Sequence, residues 1–155
     1  ALRAELDSLS GSINGEHGEL DWMPVRYIHR NVARKRLPGL YRAAAVALVT
    51  PLRDGMNLVA KEFIAAQDPA DPGVLVLSRF AGAAEQLHEA LLVNPYDTGQ
   101  TAETIQRALH MPLAERQQRH RALLERIRAH DVHWWRTAFL NALADAPAST
   151  GDPRS

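Results

Sequence analysis

Asp54, Asn57 and Glu62, gathered with Gly55 in the stretch TPLRDGMNLVAKE at residues 50–62, are the side chains of this sequence best suited to hold a charged, hydroxyl-rich ligand. The apolar run 43–49 reads as a buried strand, 51–57 as a tight loop and 58–67 as a helix, which is where open α/β sheets place ligands. Gly55 permits a backbone conformation or a close approach that a side chain would block. Asn57 suits a helix N-cap, its amide oxygen accepting from the amides two or three residues on. The N–H groups of Leu58, Val59 and Ala60, unpaired at the helix start, then face the loop mouth and, with the helix dipole, favour an anion such as phosphate. A carboxylate at Asp54 would repel that phosphate and is better suited to accept from sugar hydroxyls. Glu62, one turn into the helix, could hold a ribose diol. The same residues have a purely structural reading, with Asp54 closing the turn and Glu62 solvated, and the residues alone leave both open.

The elements that must position this loop are legible by period. Leu2, Leu6 and Leu9 give a helical spacing, which the breaker-rich GSINGEHG at 11–18 is expected to end in a loop. His17 falls in that loop and reads as a surface residue. PVRYI at 24–28 reads as a strand opened by proline. The basic run of Arg30, Arg34, Lys35, Arg36 and Arg42 occupies helical positions with no interleaved aromatic platform, so a solvated face is expected. VLVLS at 74–78 reads as a doubly buried parallel strand, AGAA at 81–84 as small residues at its end that would let backbone approach a bound sugar or diphosphate or simply pack helix on sheet, and 90–94 as another short strand closed by the NPYD turn. Three or four strands alternating with helices predict a parallel sheet covered on both sides.

From Thr101 onward the chain reads as helical. Thr101 is a candidate cap, Ile105 and Leu109 mark one apolar stripe, and Pro112 starts a new helix with Leu123, Leu124 and Ile127 on its buried face. Glu115, Arg116, Arg119, Glu125 and Arg128 are expected on solvated faces. His130, Asp131 and His133 lack a third ligand at a convincing spacing, so no metal is assigned to them. Trp134, Trp135, Phe139, Leu140 and Leu143 form an apolar ladder, expected to be a packing face, and 147–155 reads as a disordered tail.

Composition narrows the function classes. Eighteen basic residues balance eighteen acidic ones, so no global field draws in nucleic acid or an anionic membrane. The absence of cysteine excludes a disulfide framework, a thiolate metal site and a cysteine nucleophile. No apolar run reaches the roughly 18 residues a membrane helix needs, and a cytoplasmic protein is expected. The chain opens at Ala1 on what reads as a helix already under way, so a fragment with an N-terminal partner domain is expected.

RDGMNLVAKEFIAAQ at 53–67 closely resembles the donor-binding segment of the trehalose-6-phosphate synthase family, retaining glucosyltransferases of the GT-B fold with two facing Rossmann-like domains. The segments SGSINGEHGELDWMPVRYIHR, LVTPLRDG, DPADPGVLVLSRFAGAAEQL, ALLVNPYD and DVHWW resemble the same family in the same order, so the likeness covers nearly the whole chain. The resemblance implies an α/β fold: a Rossmann-like parallel sheet with helices on both faces, the C-terminal half of a GT-B fold, ending in a helical segment. Residues 1–146 would then form part of a C-terminal nucleotide-sugar-binding domain. One departure concerns Val32, which aligns with a position usually aromatic in the family and near the nucleotide base; valine offers a main-chain contact but no stacking. Pro38 and Gly39 also look unusual within what should be a helix.

The resemblance further implies transfer of glucose from UDP-glucose to glucose 6-phosphate with retention, with no cofactor and no obligatory metal. Asp54 would be the catalytic-site carboxylate. Gly55, Met56 and Asn57 would join it in orienting the glucose, and Leu58, Val59, Ala60, Lys61 and Glu62 would hold diphosphate and ribose. The family's Arg/Lys pair on the diphosphate and its acceptor-binding domain match nothing in these residues. The chain alone is therefore expected to be inactive, meeting glucose 6-phosphate only through a missing N-terminal domain. A homo-oligomer is compatible with this; nucleic acid and membrane are not expected partners. Two other readings stay open: a relative with another acceptor, such as a glucosylglycerol-phosphate synthase or a pseudo-glycosyltransferase, and a noncatalytic nucleotide-sugar-binding module.

Overall fold

A computed structural model describes residues 2–144; the expected tail at 147–155 lies outside them. The chain divides after Ala33 into two units, taken in turn below.

The first unit holds α1 (Leu2–His17), which runs straight through the segment expected to be a loop. Gly11 and Gly15 are tolerated inside it at a cost of about 1 kcal/mol each, and the helix ends only where the Gly18 N–H donates to the Asn14 carbonyl at 2.9 Å. The strand expected at 24–28 is absent: that segment is irregular. The backbone of Val25 within it is satisfied instead by one side chain, as Asn14 Nδ2 donates to the Val25 carbonyl and Asn14 Oδ1 accepts from the Val25 N–H, both at 2.9 Å.

The second unit is built on a three-stranded parallel sheet in the order β1-β2-β3, formed by Val46–Val49, Val74–Ser78 and Leu91–Val93. β1 begins three residues later than its apolar run suggests, because residue 43 still closes α2 (Leu37–Ala43). Pro38 proves ordinary there: it sits in the first helical turn, where a missing N–H costs nothing. β2 is buried at all five positions, as expected of a central parallel strand. Its alternate side chains go to opposite faces. Leu75 and Leu77 join Phe63 and Ile64 of α3 (Leu58–Ala66) and Leu123 of α5 (Leu113–Ala129) in one core cluster. Val74 and Val76 join Leu91, Val93, Met111 and Ala108 of α4 (Thr98–Leu109) in the other. Helices thus cover both faces of the sheet, the doubly covered arrangement expected from the sequence.

Four expectations about the helices are corrected. α4 is capped by Asp97, whose carboxylate accepts from the Gln100 N–H at 2.9 Å, while Thr101 lies inside the helix with its hydroxyl donating to the Asp97 carbonyl. Leu109 is 61% exposed and Ala108 is the buried residue of that turn. Arg116 and Arg119 are half-buried rather than solvated, because loop acceptors reach them: Arg116 donates to Asp71 and the Pro72 carbonyl, and Arg119 to the Glu89 carbonyl as well as to Glu115 one turn back in α5. The aromatic ladder of α6 (Val132–Ala144) is not packed within the described residues. That helix buries no residue, and Trp135 stacks on Phe139 in the open.

Candidate functional site

The C-terminal end of β1 leads into residues 50–57, and α3 starts at Leu58. The join is made by Asn57, the one non-glycine residue with positive φ among the described residues (φ 72°, ψ 87°). Asparagine tolerates that left-handed conformation better than most residues, and its Oδ1 accepts from the Ala60 N–H at 2.9 Å. The cap therefore occupies the Ala60 amide, and of the three amides expected to face the loop mouth only those of Leu58 and Val59 lack a partner among the described residues. Two aligned N–H groups at the start of a nine-residue helix remain available to an anion.

Asp54 is tied to the same turn. Its Oδ1 accepts from the Met56 N–H at 3.1 Å and its Oδ2 from Asn57 Nδ2 at 2.9 Å. These hydrogen bonds, the Met56 amide first, hold its carboxyl below the usual carboxylate range, so it is an anion at neutral pH. Asp54 does close the turn, as the structural reading held. Each carboxylate oxygen has further lone pairs, so this does not use up its capacity to accept from a ligand hydroxyl.

Residues 81–83, after β2, back this loop. The Gly82 N–H donates to the Asp54 carbonyl at 2.9 Å and the Ala83 N–H to the Met56 carbonyl at 2.7 Å. Asp54 and Ala81 form a parallel bridge that extends the β1-β2 pairing beyond the regular strands. The close approach expected at Gly55 is found at Gly82. A Cβ on Gly55 would meet nothing within 4 Å, whereas one on Gly82 would stand 2.2 Å from the Gly55 carbonyl oxygen.

Further along α3, Lys61 Nζ donates to Gln86 Oε1 at 2.9 Å. The Tyr41 hydroxyl donates to Glu62 Oε2 at 3.2 Å, and burial, aided by that carboxylate, raises the tyrosine's pKa. Glu62 keeps its other oxygen uncommitted and is exposed. Gly55, Met56, Leu58 and Lys61 form one wall of an open cleft of about 570 Å³, whose opposite wall includes Ile127 and Trp134. The structure thus gathers Asp54, Gly55, Met56, Asn57, Leu58, Val59, Ala60, Lys61 and Glu62 on one loop and the first turns of one helix. Val32 is half-buried and belongs to the first unit.

Sequence reasoning did not single out Gln86 or the Ala83 amide. The small residues of AGAA suggested a close backbone approach to a bound sugar or diphosphate; the approach found is to the backbone of residues 54–56. Asp131, set beside two histidines in the sequence, caps α6 by accepting from the His133 and Trp134 amides at 2.9 Å. No group of three or more metal-ligating side chains gathers among the described residues. No helix among them is long and apolar enough to cross a membrane.

Comparison with known proteins gives a consistent answer. Glycosyltransferase family 20 matches residues 1–145. The trehalose-6-phosphate synthase of Sinorhizobium fredii is 57% identical over 143 residues, covering 92% of this chain and 31% of that protein. The α,α-trehalose-phosphate synthase (UDP-forming) of Burkholderia xenovorans, solved in complex with glucose-6-phosphate, superposes with a TM-score of 0.88 at 56% identity, covering 92% of this chain and 32% of that one. An E. coli trehalose-6-phosphate protein bound with UDP-2-fluoro glucose gives a TM-score of 0.88 at 51% identity, covering 94% of this chain and 32% of that one. The fold is accordingly the one expected, a Rossmann-like parallel sheet with helices on both faces that corresponds to part of the GT-B fold of these relatives. The chain spans about a third of the length of these relatives.

Proposed function

The chain belongs to glycosyltransferase family 20, and on that premise we propose that it is the donor-binding part of a UDP-forming α,α-trehalose-phosphate synthase. The observation that carries the reading is the juxtaposition at the head of α3: the Leu58 and Val59 amides stand beside a carboxylate, Asp54, that the Met56 amide and Asn57 keep ionised and oriented. The amides suit a diphosphate and the carboxylate suits sugar hydroxyls, so together they match the two ends of the glucose–diphosphate linkage in UDP-glucose.

In the reaction proposed, the bond from glucose C1 to the diphosphate oxygen breaks, and the diphosphate leaves with the electron pair. A new bond forms on the same face between C1 and the anomeric oxygen of glucose 6-phosphate, whose proton passes to the departing diphosphate. Negative charge grows on the leaving group, and helix-terminal amides already aimed at it stabilise that charge without reorganising. Asp54, with the main chain at Gly55, Met56 and Asn57, orients the glucose hydroxyls. Glu62, with one oxygen held by Tyr41, offers the other to a ribose hydroxyl; it lines a separate hollow with Leu37, Pro38 and Tyr41, whereas Lys61 lines the cleft beside Gly55 and Met56. Val32 is assigned a main-chain contact to the base. Glucose 6-phosphate would be held by residues outside this segment, and a cytoplasmic, homo-oligomeric protein completes the reading.

The test is an assay of glucosyl transfer. The 155-residue chain with UDP-glucose and glucose 6-phosphate is expected to yield no trehalose 6-phosphate, whereas the same residues within a chain of the relatives' full length are expected to yield it. Asp54→Asn in the longer chain should lower kcat/KM by about a hundredfold or more, corresponding to roughly 2.7 kcal/mol of lost transition-state stabilisation. Undiminished turnover in that variant would remove Asp54 from the chemistry.

A further inference from the structure

We infer that Gly82 is a positioning residue for donor binding: by having no side chain it lets residues 81–83 clamp the loop that carries Asp54. The inference rests on the donor-binding reading above. Three contacts make the clamp, and all are main-chain. The Asp54 N–H donates to the Phe80 carbonyl at 3.3 Å and the Gly82 N–H to the Asp54 carbonyl at 2.9 Å, together the parallel Asp54–Ala81 bridge, and the Ala83 N–H donates to the Met56 carbonyl at 2.7 Å. Between the Gly82 and Ala83 hydrogen bonds the backbones come so close that a Cβ on Gly82 would lie 2.2 Å from the Gly55 carbonyl oxygen, 2.8 Å from its carbon and 3.3 Å from the Met56 nitrogen. These are backbone atoms, which cannot swing aside as the end of a flexible side chain does.

Gly55 and Met56 have little packing of their own to hold them. Met56 is 38% exposed, Gly55 is exposed, and a Cβ on Gly55 would touch nothing within 4 Å. Their position is set from behind by the clamp and within the turn by Asp54 and Asn57. A methyl group at Gly82 would displace Gly55 and Met56 by a distance on the order of 1 Å, since unbonded carbon and oxygen atoms repel well inside their optimal separation. The Met56 N–H would move with them, and with it the hydrogen bond that orients Asp54. The head of α3 has supports of its own in the Asn57–Ala60 cap and the buried Ala60, Phe63 and Ile64, with the Asn57 amide as its one side-chain link to Asp54. The displacement therefore falls on the residues assigned to glucose and spares those assigned to diphosphate.

That separation gives the experiment. UDP and UDP-glucose are titrated calorimetrically into the chain and into Gly82→Ala, and the Asp54 carboxyl is titrated by NMR in both without ligand. The expected result is UDP affinity within about twofold of wild type and UDP-glucose affinity lowered about tenfold, a change of about 1.4 kcal/mol. The Asp54 carboxyl should return toward its ordinary range, while hydrogen exchange at the β2 amides stays slow. Unchanged UDP-glucose affinity with unchanged Asp54 titration would overturn the inference. So would parallel loss of both ligands or of β2 protection, which would make Gly82 a residue of the fold alone. If wild type binds neither nucleotide, the donor-binding reading itself fails; if wild type binds both and the variant behaves identically, only the role of Gly82 fails.

Discussion

Asn57 does two jobs that no other residue type does as cheaply. It occupies a left-handed conformation (φ 72°) and caps the Ala60 amide at 2.9 Å. Asn57→Ala should therefore lose about 1 kcal/mol for the cap and about 1 kcal/mol more for alanine in the left-handed region. Asn57→Gly should lose only a few tenths, and the two midpoints in urea denaturation check the difference. Asp54, Asp68, Glu89 and Asp131 each have a folded pKa below the ordinary value. The leading causes are the Met56 amide, the Ala70 amide, the Arg126 guanidinium and the Trp134 amide respectively. Each carboxyl binds its proton more weakly folded than unfolded. Their contribution is then complete above the unfolded value, about pH 4, and is lost as pH falls through the lower folded values. Urea midpoints measured from about pH 6 down to about pH 3 should decline, less so in Glu89→Gln, which no longer titrates at that position. At this scale the cap was legible, because Asn before an apolar helix is a local signal. The role of Gly82 was not, because its partner Gly55 lies far away in sequence and a close approach leaves no periodic trace.

Among the elements, β2 carries the sheet. It pairs with both other strands and sends Leu77, fully buried, into the cluster beneath α3. Leu77→Ala should cost about 3 kcal/mol by transfer and cavity terms together, readable as a fall in urea midpoint at unchanged m-value. α6 offers the contrast: Leu140 and Leu143 are 53% and 63% exposed. Changing either to serine should move stability by no more than about 0.5 kcal/mol, and a drop of several kcal/mol would show that this face is covered in solution. Strands and helices of the second unit were legible because their patterns are strong: a continuous apolar run for β2, and a cap before an apolar helix for α3. In the first unit the breakers misled. Gly11 and Gly15 are affordable inside a 16-residue helix, and Asn14 satisfies the Val25 backbone where a strand partner was expected. For Arg116 and Arg119, the sequence could show charge at helical spacing but not the loop carbonyls that half-bury them.

For the molecule as a whole, the central claim is that the strand–loop–helix unit from β1 to α3 recognises a nucleotide sugar through α3's first amides and Asp54. That unit sits on a sheet covered on both faces, so its geometry is set by a packed core. The most direct test is a calorimetric titration of the chain with UDP-glucose, with Asp54→Asn alongside. Saturable binding, weakened about tenfold in the variant, is the predicted result, equivalent to about 1.4 kcal/mol assigned to the carboxylate. Binding of equal strength in both proteins, or none in either, would contradict the account.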